Sequence, residues 1–117
     1  LPISCYDLNM NLKSIILLSL LISFNASADF IYARSVVLEN LLKITSLTKD
    51  CVYMREEGWG KDEKSEMRFT DINLREIHNE ECGGDPNTDV SIGYFRVYTD
   101  GKIEEFDYLD GQLRDLK

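Results

Sequence analysis

Between Ser14 and Phe24 the sequence SIILLSLLISF is an apolar run of 11 residues, and it decides how much of the chain is left to fold. A membrane-spanning helix needs roughly 20 apolar residues, because the hydrocarbon core is about 30 Å thick and a helix rises about 1.5 Å per residue. The run is too short for that. It follows Met10, Asn11, Leu12 and Lys13, a short segment with one positive charge, and precedes Asn25-Ala26-Ser27-Ala28. Those last residues place small side chains at the two positions a signal peptidase reads. The pattern predicts a signal peptide over residues 10–28, cleaved after Ala28. The competing readings are an uncleaved anchor and a buried core helix. Residues 1–9 have no part in this scheme and read as a non-native upstream extension. No cysteine follows the run closely enough to become a lipidated first residue.

Cleavage also settles the cysteines. The chain has three, an odd number that would leave a free thiol in an oxidising compartment. Removing residues 1–28 removes Cys5 and leaves Cys51 and Cys82, which have one possible connectivity. The expectation is a periplasmic or secreted protein, mature over residues 29–117, with a Cys51–Cys82 disulfide.

The formal net charge is −8, and it is unchanged by cleavage because Asp7 and Lys13 cancel. Such a surface repels nucleic acid and anionic lipid, so neither is an expected partner, and no stable membrane insertion is expected after cleavage. It permits a basic protein partner from the envelope or the secreted fraction. The plainer reading is that acidic surfaces keep small proteins in solution.

The mature segment has no internal repeat and no linker-like stretch, with Pro86 its one proline, so a single domain is expected. Val37, Leu41 and Ile44 recur at helical spacing, and Leu38, Leu42 and Leu47 widen the stripe. This predicts a core-facing helix from Ser35 to Thr48, capped by Ser35, with Lys43 and Lys49 favourably placed near its C-terminal end. β-like runs follow. Cys51–Arg55 is the first, a polar loop with Gly58-Trp59-Gly60 comes next, and Met67–His78 is the second. The apolar phase of the second run slips near Thr70 and Asp71, which a bulge explains best; a break between two strands comes next, and a helix is compatible with the periodicity. Antiparallel pairing of the two runs would bring Cys51 towards Cys82.

The clearest local signal is a hairpin over Ser91–Leu109 turning at Asp100-Gly101. A two-residue loop would set Val97 opposite Glu104, Arg96 opposite Glu105 and Phe95 opposite Phe106. Phe95, Val97, Phe106 and Tyr108 would then face the helix, leaving Tyr94, Arg96, Tyr98, Ile103, Glu105 and Asp107 outside. Arg96 and Glu105 would form an exposed ion pair. Tyr94, Tyr98 and Ile103 become partner-binding candidates, although tyrosines serve equally as cross-strand neighbours. Trp59 is a further candidate, since a loop between two glycines presents the indole as an anchor, or else lets it fold back over the sheet edge. The resulting fold class is α+β, one helix on a three- to four-stranded antiparallel meander.

A helix followed by a meander, with YFRVYTDGKIEEFDYLDGQL closing the chain, resembles small exported α+β domains of the PepSY type. The segment from His78 to Thr88 also resembles part of uncharacterised bacterial periplasmic proteins. The PepSY resemblance implies a binding role of the kind associated with peptidase inhibition and envelope regulation. The disulfide and the CGGDPNT insertion depart from the PepSY pattern.

Other chemistry is thinly represented. Asp85, Asn87 and Asp89 match the first, third and fifth positions of a calcium loop, but Val90 and Arg96 stand where glycine and glutamate are required, so only a looser calcium site is conceivable. A turn constrained by Gly83-Gly84 and Pro86 is the better account. His78, the one histidine, has no recognisable triad or zinc ligand set, and adjacent carboxylates such as Glu80-Glu81 are expected in so acidic a chain. No cofactor is implied. The expected function is a non-enzymatic binding or regulatory protein of the bacterial cell envelope, inhibitor-like in its most specific form. A structural envelope protein modulating assembly, or a small hydrolase or its pro-segment, stands as the alternative.

Overall fold

The computed structural model describes residues 29–117. The expected signal peptide, the 1–9 extension and Cys5 lie outside the described residues.

The main helix, α1, covers 29–39 of the described residues and is followed, after a break at Asn40, by the single turn α2, Leu41–Ile44. The helical segment thus starts before Ser35 and stops before Thr48. Ser35 does not cap it: its hydroxyl donates to the Tyr32 carbonyl at 2.6 Å, inside the helix. The break has a local cause. The Asn40 side-chain amide donates to the Val36 carbonyl at 2.8 Å, competing with the backbone pattern as asparagine tends to do. Ala33, Val36, Val37 and Leu41 form the buried stripe, whereas Leu42, expected on it, is 92% exposed.

Five strands follow as an antiparallel meander: β1 Val52–Lys61, β2 Arg68–Glu76, β3 Ser91–Tyr98, β4 Ile103–Asp107 and β5 Gln112–Asp115, in the spatial order β1-β2-β3-β4-β5. The fold is α+β as expected, with five strands rather than three or four. The helix covers one face, burying Val52, Ile72, Leu74, Phe95 and Val97, with Met54 and Ile103 packed at the margin.

β1 runs straight through Gly58-Trp59-Gly60, so the expected loop is strand. Close approach explains Gly60: it lies opposite Phe69, and a Cβ on it would sit 2.8 Å from the ring. β2 is a single strand. The phase slip read at Thr70 and Asp71 is matched by a register shift between Glu56 and Gly58 of the neighbouring strand, so the extra residue, Glu57, belongs to β1.

The β3–β4 hairpin also differs from expectation by one residue. Gly101 N–H donates to the Tyr98 carbonyl and Tyr98 N–H to the Lys102 carbonyl, both at 2.9 Å, closing a three-residue loop with Gly101 at φ +92°. Val97 therefore pairs with Ile103, Arg96 with Glu104 and Phe95 with Glu105. Since side chains alternate, this shift exchanges the faces of β4: Ile103 turns to the helix and Phe106 away from it.

Cys51 and Cys82 are joined, with Cα atoms 5.4 Å apart. The pairing of Val52 with Glu76 brings the two segments together, as the antiparallel arrangement of the two runs requires. Among the described residues no helix is long and apolar enough to cross a membrane.

Candidate binding surface

One helix cannot cover both faces of a five-stranded sheet, so the outer face must be closed by its own side chains or left open. It does both, in different places. Towards the Glu76 end of β2 it is sealed by polar contacts. The fully buried Asn73 amide donates to Ser91 Oγ at 2.6 Å and to the Gly93 carbonyl at 3.1 Å, and Arg75 donates to Asn73 Oδ1 at 2.6 Å. Arg75 also meets Asp89 at 2.8 Å, and Asp89 accepts from the Tyr53 hydroxyl at 3.1 Å. The Arg75 guanidinium holds the Asp89 carboxyl below its ordinary value, chiefly through this hydrogen bond.

At the opposite end, Tyr98 is closed in. It is 8% exposed, packed edge-on to Phe69 with ring centres 6.0 Å apart, and the Lys102 ammonium lies 5.7 Å from its ring centre. Burial, and then Glu104 beside it, pushes its phenol up to about 12. Trp59 plays no part in covering it. The indole stands 81% exposed on the helix side of the sheet, where Trp59 pairs with the inward-facing Thr70 on the edge strand β1.

Between these ends lies an open groove of about 500 Å³, whose lining includes Tyr94 and Arg96 of β3, Phe106 of β4, Leu113 of β5, and Tyr108 and Gly111 from the turn between the last two strands. Glu57 and Asp71 line it from β1 and β2. Tyr108 is the hinge of the aromatic wall. Its ring meets Tyr94 edge-on at 5.8 Å and Phe106 edge-on at 5.3 Å, yet the residue remains 64% exposed. The β4–β5 turn presents it there: Gly111 N–H donates to the Asp107 carbonyl at 2.8 Å, and the Asp107 carboxylate accepts from Leu109 N–H at 2.8 Å.

Arg96 pairs with Asp71 of β2, not with Glu105. The contact is bidentate, 2.8 Å from Nε and 3.0 Å from Nη2, and the guanidinium lies 3.7 Å from the Phe69 ring centre. This fixes the cation flat on the sheet and largely neutralises it. What the groove presents is therefore aromatic surface, since Glu57 on the β1 side is likewise paired, accepting from Arg55 Nε and Nη2 at 3.1 Å. Such a site suits an apolar or aromatic side chain.

Of the residues expected at a partner site, only Tyr94 lines this groove. Tyr98 is packed beside it, Ile103 faces the helix, and Trp59 stands apart. Phe106 and Tyr108, expected against the helix, are instead on the groove, and Leu113 belongs to a strand beyond the expected meander. The DG dipeptide at Asp110-Gly111, with turn chemistry like that of Asp100-Gly101, is the sequence signal for that last strand.

The calcium-like triplet does not converge. Asp85 Oδ1 accepts from Asn87 N–H at 2.9 Å, and Asp89 is held by Arg75 and Tyr53. Among the described residues no three His, Cys, Asp or Glu side chains gather as a metal site. His78 meets a single carboxylate, Glu76, while Glu80 and Glu81 are exposed on the following turn.

Comparison with family models, curated proteins and solved structures finds no match, so the PepSY resemblance rests on the residues quoted for it.

Proposed function

We propose that this chain is an exported, non-enzymatic binding or regulatory protein of the bacterial cell envelope, acting in the periplasm or after secretion, and that it takes a basic segment of another envelope or secreted protein into the outer aromatic groove. The observation that carries this reading is the groove itself: exposed Tyr108 with half-buried Tyr94, Phe106 and Leu113 around it, on the sheet face that the helix leaves uncovered. Aromatic side chains are enriched where proteins bind one another. The two carboxylates in its lining, Glu57 and Asp71, are both held in ion pairs, by Arg55 and Arg96, which supports reading it as a recognition surface. The net charge of −8 favours a basic partner by steering its approach. The Cys51–Cys82 disulfide suits an oxidising compartment. The resemblance to PepSY domains supports a regulatory role, with inhibition of a peptidase as its most specific form.

Affinity capture from periplasmic extract with the wild-type protein, Tyr108→Ala and Trp59→Ala, read by mass spectrometry, tests the proposal. A partner captured by wild type and Trp59→Ala but lost from Tyr108→Ala is expected, and its capture should weaken as salt is raised. Equal capture by Tyr108→Ala would refute the assignment of the groove.

A further inference from the structure

The loop from Asn79 to Val90 is held in two halves by different means. Its first half is fixed by the disulfide at Cys82 and by Asn79, whose carbonyl accepts from Gly83 N–H at 2.8 Å and whose side chain accepts from Cys82 N–H at 2.7 Å. The second half is gathered around His78. The imidazole Nε2 lies 2.6 Å from Glu76 Oε2, and Nδ1 lies 2.9 Å from the Asp85 carbonyl and 3.0 Å from Thr88 Oγ1. The ring packs so closely on the loop that a Cβ at Gly84 would stand 2.7 Å from it; Gly84, at φ +81°, is the residue type that permits this.

The acceptors decide the protonation state. A carboxylate and a backbone carbonyl accept hydrogen bonds and donate none, so both ring nitrogens must carry protons to satisfy the two sides. A neutral ring that keeps Nε2–H on Glu76 has only a lone pair to show Asp85. It could take a proton from the Thr88 hydroxyl, but that hydroxyl already donates to the Asp85 carbonyl at 2.9 Å; turning it would leave that carbonyl only the Thr88 N–H at 3.0 Å and keep the ring lone pair 2.9 Å from the carbonyl oxygen, lone pair against lone pair.

We propose that His78 is a pH-sensitive clamp: as imidazolium it bolts the Asp85–Thr88 turn to the end of β2, and loss of one proton releases that half of the loop while the disulfide keeps the other. The charged groups around it favour this. Glu76 is the ionised group facing the ring from β2, and β1 sets apolar Val52 opposite Glu76. On the loop, Asp85 contributes its carbonyl while its carboxylate accepts from Asn87, and Asp89 is taken up by Arg75 and Tyr53. The hydrogen bond to Glu76, then that to Asp85, raises the His78 pKa above its ordinary 6.5. With the folded value above the unfolded one, the clamp's stabilisation is complete below about 6.5 and is lost as pH rises through the folded value. The released turn leads directly to Asp89, which anchors Arg75 and Tyr53 on the outer face. The device is independent of what the groove binds.

His78 is the chain's one histidine, so its ring protons titrate in isolation in an NMR spectrum of the purified, oxidised protein. The expected midpoint lies above 6.5. Amide exchange at Asn87 and Thr88, corrected for intrinsic base catalysis, should lose protection by about tenfold through the same midpoint, as expected for losing a charge-assisted hydrogen bond. Glu76→Gln should lower the midpoint and carry the exchange transition with it. His78→Gln should abolish the transition. A midpoint at or below 6.5, or protection that stays flat through the midpoint, would overturn the proposal. So would a Glu76→Gln variant whose titration moves while its exchange transition does not, which keeps the test decisive should His78→Gln fail to fold.

Discussion

At the scale of single residues, the outer face separates tyrosines that serve the fold from those available to a partner. Tyr94, Tyr98 and Tyr108 all lie on that side, but their environments differ. Tyr98 is enclosed by Phe69 and Lys102, with its phenol held protonated by burial. Tyr98→Ala should therefore destabilise the protein by about 1–3 kcal/mol through lost packing, measured by chemical denaturation, while the folded fraction still captures its partner. Tyr108 has the opposite balance, being mostly exposed with two edge-on contacts. Its truncation should alter capture and leave the denaturation midpoint almost unmoved. Sequence alone does not separate these roles, because a tyrosine's burial on an open sheet face depends on neighbours from other strands. Phe69, from β2, is such a neighbour for Tyr98.

At the scale of elements, the β3–β4 hairpin shows what is legible in the sequence and what is not. Its existence and its turn dipeptide are readable, since Asp100-Gly101 supplies the left-handed residue that tight hairpins demand. Its register is not. Two-residue and three-residue loops both accept glycine at that place, and Ile103-Glu104-Glu105-Phe106 puts one apolar and one acidic residue on each face in either register. Packing decides: Ile103 joins the core margin opposite Val97, and Phe106 builds the groove. The same shift explains why Arg96 meets Asp71 across β2 rather than Glu105. Gly101→Ala tests this turn. At φ +92°, with Tyr32 Oη 3.0 Å from the Cβ position, the substitution should lower stability by about 1–3 kcal/mol. A variant as stable as wild type would favour a loop in which Gly101 is not left-handed. The strand through Trp59 reads as a loop for a related reason. Flanking glycines usually signal a loop, whereas here Gly60 makes room for the Phe69 ring. The last strand escapes a reading by pattern because four residues, Gln112–Asp115, carry too little alternation to register.

For the molecule as a whole, two features couple fold to function. The disulfide closes a sequence separation of 31 residues and should contribute about 3–4 kcal/mol by restricting the unfolded chain. Cys51→Ser/Cys82→Ser is expected to lose that amount in urea denaturation, and an undiminished stability would show that the loop is ordered without it. Cysteine arithmetic alone makes this bond legible, since one pair remains once Cys5 is set aside with the leader expected from the sequence. The second feature is the single covering helix, which leaves the opposite sheet face to be sealed at both ends and open in the middle. In the proposed binding mode this opening, not the exposed Trp59 edge, meets the partner. Hydroxyl-radical footprinting of the protein, free and in complex with its captured partner, tests it most directly by comparing oxidation at Tyr94, Tyr108 and Trp59. Protection of Tyr94 and Tyr108 with Trp59 unchanged is the predicted result; protection of Trp59 with Tyr94 and Tyr108 as reactive as in the free protein would contradict it.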